Sequence, residues 1–131
     1  MKHRHLLSTE SLTLEYNAID DILLSKWKGH LSNEQIKEGY ESIGVHLKKN
    51  FCHKLLDNHL EVRGLWVDLA EWVAKDWHPR AEALGLEYHA FVFSTSTFSH
   101  LSTEKALSLI TTSIVAGFEE EGSAEKWLKS F

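Results

Sequence analysis

The chain has 131 residues, 43% hydrophobic and 25% charged, with a formal net charge of −5. A chain of this size can bury a core of its own, and its balanced composition excludes disordered and fibrous classes. The excess of acidic over basic residues disfavours a nucleic-acid partner, and a single cysteine, Cys52, excludes an internal disulfide or a thiolate metal cage.

The start of the chain reads Lys2, His3, Arg4, His5, then Leu6 and Leu7, then polar Ser8, Thr9, Glu10 and Ser11. That is not the apolar core of a signal peptide, and no later stretch approaches a membrane span. The expectation is a cytoplasmic protein with a flexible segment over 1–11 and one α/β domain over 12–131.

Leu12, Thr13, Leu14, Glu15 and Tyr16 alternate as a half-buried strand does, and Ile22 to Trp27 supplies its hairpin partner across the turn residues 17–21. Ser32 caps a helix, with Gln35 three residues on to complete a capping box. Ile36, Tyr40, Ile43 and Leu47 then line one face at steps of four, three and four. A third strand is expected over 53–56, ending in the polar Asp57, Asn58 and His59.

The second helix is expected from 62 to 77, disturbed at Pro79 and capped by Gly85. Tyr88 to Phe93 reads as a buried strand, followed by a hydroxyl-rich loop over 94–99. Ser102 is the expected cap of a third helix, 113–118 a fifth strand, and Ser123 the cap of a closing helix. The order ββαβαβαβα predicts a five-stranded, mostly parallel sheet with strands in sequential order and only the first antiparallel.

Nine histidines invite a metal, but none has a partner at helical ligand spacing beside a carboxylate, so neither metal nor cofactor is expected. Ser94, Ser96 and their neighbours follow the fourth strand, where open parallel sheets bind ligands; Asp57, Asn58 and His59 are expected on the same edge. Such hydroxyls equally serve as turn and cap formers. On the second helix, Val62, Trp66, Leu69, Val73 and Trp77 form one stripe, widened by Leu65 and Trp72. An apolar arc this wide suits a partner surface or pocket with Trp66 and Trp72 as anchors, and suits plain core packing as well.

Several of these residues together resemble the STAS-like domains, named after sulfate transporters and anti-sigma-factor antagonists. The resemblance rests on Tyr16, Ile22, Trp27 and Gly29 at the start, and on Asp57 closing the third strand. The run Trp72, Trp77-His78-Pro79-Arg80-Ala81 and Gly85 carries it most specifically, with Ala124 and Trp127-Leu128 at the end. It implies a small, stand-alone bacterial protein built as a β/α superhelix with strands in sequence order. The best-understood members bind a protein partner under control of a serine phosphorylated just after the third strand. Here that neighbourhood reads Asp57-Asn58-His59-Leu60, so the switch does not carry over.

The leading expectation is therefore a non-catalytic interaction module that binds another protein or itself, as a homodimer, through the second-helix surface and nearby loops. A small apolar ligand held between that helix and the sheet is the alternative. A third reading is an enzyme using Asp57, His59 and Ser96.

Overall fold

Pairing begins earlier than the hairpin expected at Leu12. In the computed structural model, which describes residues 3–131, His3–Ser8 forms an edge strand, β1, antiparallel to β2, Leu12–Asn17. Lys2 of the basic cluster lies outside the described residues. Leu6 and Leu7 pack against the core, which is why a segment expected to be flexible is held in the sheet. The Thr9 hydroxyl accepts the Leu12 N–H at 3.0 Å and closes the turn between the two strands.

β2 and β3, Ile22–His30, make the expected antiparallel hairpin. Helix α1, Asn33–Lys49, has the full capping box between Ser32 and Gln35, and Ile36, Tyr40, Ile43 and Leu47 are all buried. Asn50, Phe51 and Cys52 end it: Phe51 takes a positive φ of 50°, and the Cys52 N–H returns to the Leu47 carbonyl.

The next strand is the largest departure. β4 runs over Lys54–Arg63, so Asp57, Asn58 and His59 lie mid-strand, not on an edge loop. The polar trio reads as a turn signal, but its partners are supplied by neighbouring elements. Between Lys26 and Lys28 the register with β4 slips by one residue, so Val62 turns toward the core in place of Glu61. Val62 is accordingly a strand residue, not the start of a helix.

The second helix begins at Val67. It consists of α2, Val67–Trp72, a π-helical turn over Val73–Trp77, and α3, His78–Ala83. Pro79 brings no N–H, and the widened turn sends the His78 N–H back to Val73. Gly85, at φ +116°, ends α3: its N–H bonds Glu82 and the Leu86 N–H bonds Ala81.

β5, Tyr88–Val92, is followed by α4, Thr97–Leu109, which starts five residues before the expected cap at Ser102. β6, Ile114–Phe118, and α5, Glu121–Lys129, close the chain.

Among the described residues the sheet has six strands, one more than expected, in the order β1-β2-β3-β4-β5-β6. β1, β2 and β3 are antiparallel neighbours, and β3 to β6 run parallel. Successive right-handed crossovers in one direction place α1, the α2–α3 unit and α4 on one face. α5 folds back on the other, where Ala124 and Leu128 bury against Ile22, Leu24, Leu56, Ala90 and Val92. No helix is long and apolar enough to cross a membrane among the described residues.

Candidate functional site

Alternation along β4 splits the expected Asp57-Asn58-His59 cluster. Asn58 turns to the α5 face and donates to Glu121 at 2.7 Å, where Lys26 also approaches. Asp57 and His59 turn to the helix face, into the main core.

There the Asp57 carboxylate, with no exposed surface, accepts four hydrogen bonds and has His59 beside it. Oδ1 takes the Ser25 hydroxyl at 2.8 Å and the Trp27 indole N–H at 2.7 Å, and His59 Nε2 lies 3.1 Å from it. Oδ2 takes the Tyr40 hydroxyl at 2.6 Å and His89 Nε2 at 3.0 Å. Burial alone would raise this carboxyl, but the imidazoles of His59 and His89 hold it well below the usual carboxylate range. Burial and the adjacent carboxylate push the Tyr40 phenol well above its ordinary value, so it remains a donor.

With Asp57 ionised, the tautomers follow. His89 places its proton on Nε2 toward Asp57, so its Nδ1 accepts His78 Nε2–H at 3.1 Å. His78 Nδ1 is then a lone pair, 3.2 Å from Glu82 Oε2, and that last contact completes only when His78 takes up a proton. Burial and the neighbouring His89 push His78 down to about 4, against the pull of Glu82. Burial likewise lowers His89, opposed by Asp57. Glu82, held below its usual value despite partial burial, accepts from Ser113 and Thr112.

One polar chain thus runs from Thr112 and Ser113 at the surface through Glu82, His78 and His89 to Asp57. His59 Nε2 lies 3.2 Å from Tyr40 Oη, and its Nδ1 is buried with no hydrogen-bond partner among the described residues. The His59 ring stacks on Trp66 at 5.3 Å. These contacts tie β3, α1, β4, β5 and α3 to a single buried anion. Asp57 and His89 are both fully enclosed.

The other expected residues fall elsewhere. Trp66 is buried at the head of α2, its N–H bonded to the Ser102 hydroxyl at 2.8 Å. Trp72 is half-buried, with Lys37 and Arg80 over its ring, and Arg80 further paired with Glu41 and Asp76. Its π-face is thus occupied by the chain's own cations. Ser94 is buried, donating to the Val62 carbonyl and accepting the Ser96 N–H at 2.9 Å. Ser96 heads α4 at the surface and makes no bond to Asp57 or His59. Cys52 is buried, its thiol pushed up to about 12 by burial.

Outside the carboxyl ends of β3, β4 and β5 lie two adjoining clefts. The larger, of about 500 Å³, includes Lys28, Leu60, Arg63 and Thr95; the other, of about 400 Å³, includes His30, Arg63, Ser96 and Phe98. Beside them Leu65, Phe98 and Leu101 are each more than half exposed. Phe98 and Leu101 share a face of α4, and Leu65 and Leu101 are chain neighbours of the bonded pair Trp66 and Ser102.

Sequence reasoning passed over Tyr40, His78, His89 and Glu82 as site residues. The available signal was polar residues at inward positions: His89 two before Phe91, and Asp57 two after Leu55. No known family profile matches this chain, and neither curated proteins nor solved structures provide a match.

Proposed function

We propose that the protein is a non-catalytic interaction module of the STAS-like type, binding a protein partner at the carboxyl end of its parallel strands. The observation that carries this reading is the exposed apolar group Leu65, Phe98 and Leu101 beside the Arg63 clefts. Exposed apolar side chains gathered at one place mark association surfaces more often than scattered ones do. The resemblance of the Trp72 to Gly85 run and of the closing helix supports it, as does the sequential strand order that the resemblance implies. The surface differs in part from the one the sequence suggests: Trp66 serves the core, and the apolar group sits on the loop before α2, as expected of a nearby loop, and on α4.

The rival readings have less behind them. Between the second helix and the sheet the space is filled by Trp27, Tyr40, Val73 and Trp77, all buried, which leaves little for an apolar ligand. Asp57 and His59 do converge, but inside the core, and Ser96 does not join them.

A photo-crosslinking amino acid placed at Phe98 or Leu101 in the natural host should give a discrete adduct that Leu65→Glu suppresses. Leu65 is exposed, so that variant should keep the wild-type Tm. The same probe at Ile19, exposed at the opposite end of the strands, is the control. No adduct at either position, or the same adducts at Ile19, would overturn the reading.

A further inference from the structure

The two edges of the sheet are guarded very differently. β1 carries His3, Arg4 and His5 and a register irregularity before Leu7, features that discourage pairing with another strand. β6 reads Ile114-Val115-Ala116-Gly117-Phe118, with no charge, no proline and no irregularity against β5. Ile114 is half exposed although it lies in a strand.

The backbone of β6 has a defined outward half. Its N–H at Ile114 bonds Glu87, and its carbonyl at Phe118 accepts from Phe93, so Ile114, Ala116 and Phe118 face β5. By alternation, Val115 and Gly117 each turn one N–H and one C=O away from the sheet. Two donors and two acceptors spaced evenly about Ala116 are complementary to themselves under a two-fold rotation.

We infer that β6 is a self-association edge, pairing antiparallel with β6 of a second copy about an axis through Ala116. Val115 then exchanges both backbone bonds with Gly117 of the second copy. Ile114 lies across from Phe118 and Ala116 across from itself, so every cross-strand pair is apolar. On the same face as Ile114 and Phe118 sit Trp127 and the half-exposed Phe131, which extend the apolar surface beside the new pair. A second copy suits this edge because the strand supplies both halves of the hydrogen-bond pattern. A five-residue strand falls short of the ~1,600 Å² of a standard interface, so the dimer is expected to form at micromolar or higher concentration.

Sedimentation velocity over a concentration series tests this. The wild type should pass from monomer to dimer, and amide exchange at Val115 and Gly117 should slow as the dimer fills. Ile114→Lys, at an exposed position, should weaken association at least tenfold while leaving the Tm in place. Val115→Pro removes an outward donor but no β5–β6 bond, and should weaken association likewise; Val115 also packs beside Phe91 and Ile110, so the variant's Tm falls somewhat while the fold persists. A strict monomer up to millimolar concentration overturns the inference. So does a dimer that survives both substitutions in folded protein. A dimer lost on Phe98→Glu but not on Ile114→Lys would assign self-association to the α4 surface instead.

Discussion

At the scale of single residues, Asp57 decides most. A carboxylate removed from water costs several kcal/mol unless its lone pairs are filled, and here four donors and the adjacent His59 ring fill them. Such an arrangement has no tolerance for a changed acceptor. Asp57→Asn keeps the shape but turns an N–H₂ group toward donors that already carry hydrogens. It should lower stability by roughly 3–5 kcal/mol, as loss of one member of a buried ionic network does. Chemical denaturation measures this; a change below about 1 kcal/mol would mean that the carboxylate is not the hub of the network.

At the scale of elements, α1 holds two glycines with opposite consequences. Either one should gain about 0.5–1 kcal/mol on substitution by alanine in a free helix. At Gly39 a Cβ would stand 2.2 Å from the buried Trp27 ring, and that ring is fixed by its bond to Asp57. Gly39→Ala should therefore destabilise by about 1–3 kcal/mol through overpacking. At Gly44 the nearest atom, Trp77 Nε1, is 3.7 Å away, an ordinary contact, so Gly44→Ala should stabilise. Thermal melts of the two variants should move in opposite directions. The second helix shows a different element-scale effect: its 100° projection holds only until Trp72, and the π-helical turn then rotates α3 relative to α2. His78 is thereby buried and brought against His89.

At the scale of the whole molecule, the polar chain ties stability to pH. His78 falls from 6.5 to about 4 on folding, and His89 is lowered in the same direction. Between those values the unfolded chain binds more protons, so stability is fully present above about pH 6.5 and lost as the pH falls toward 4. Asp57, held low in the folded state, adds a further loss below its ordinary value of 3.8. The Tm should drop by roughly 5–15 °C between pH 7 and 4.5. A flat profile would show the rings titrating in the folded chain as they do in the unfolded one, which NMR of their Cε1–H signals would report.

Much of the fold was legible in the chain itself. The α1 capping box and its buried stripe, the β2–β3 hairpin, the Gly85 stop and the mixed α/β class come from local periods and caps that the sequence displays directly. The polar run at Asp57 misled for the opposite reason. Locally, Asp-Asn-His resembles a turn, and only the arrival of Ser25, Trp27, Tyr40 and His89 from distant elements makes a buried strand tolerable there. The early start of α4 and the strand at His3–Ser8 were hidden similarly, because tertiary packing overrode weak local preferences.

What the sequence determined alone was the alternation and helical stripes, whose energetics are short-range and repeat within a few residues. Tertiary structure decided which polar groups share one buried anion, and which apolar groups remain outside on α4 and β6. Satisfying a hydrogen bond or covering a side chain depends on partners far away in the chain, and only the folded sheet brings them together.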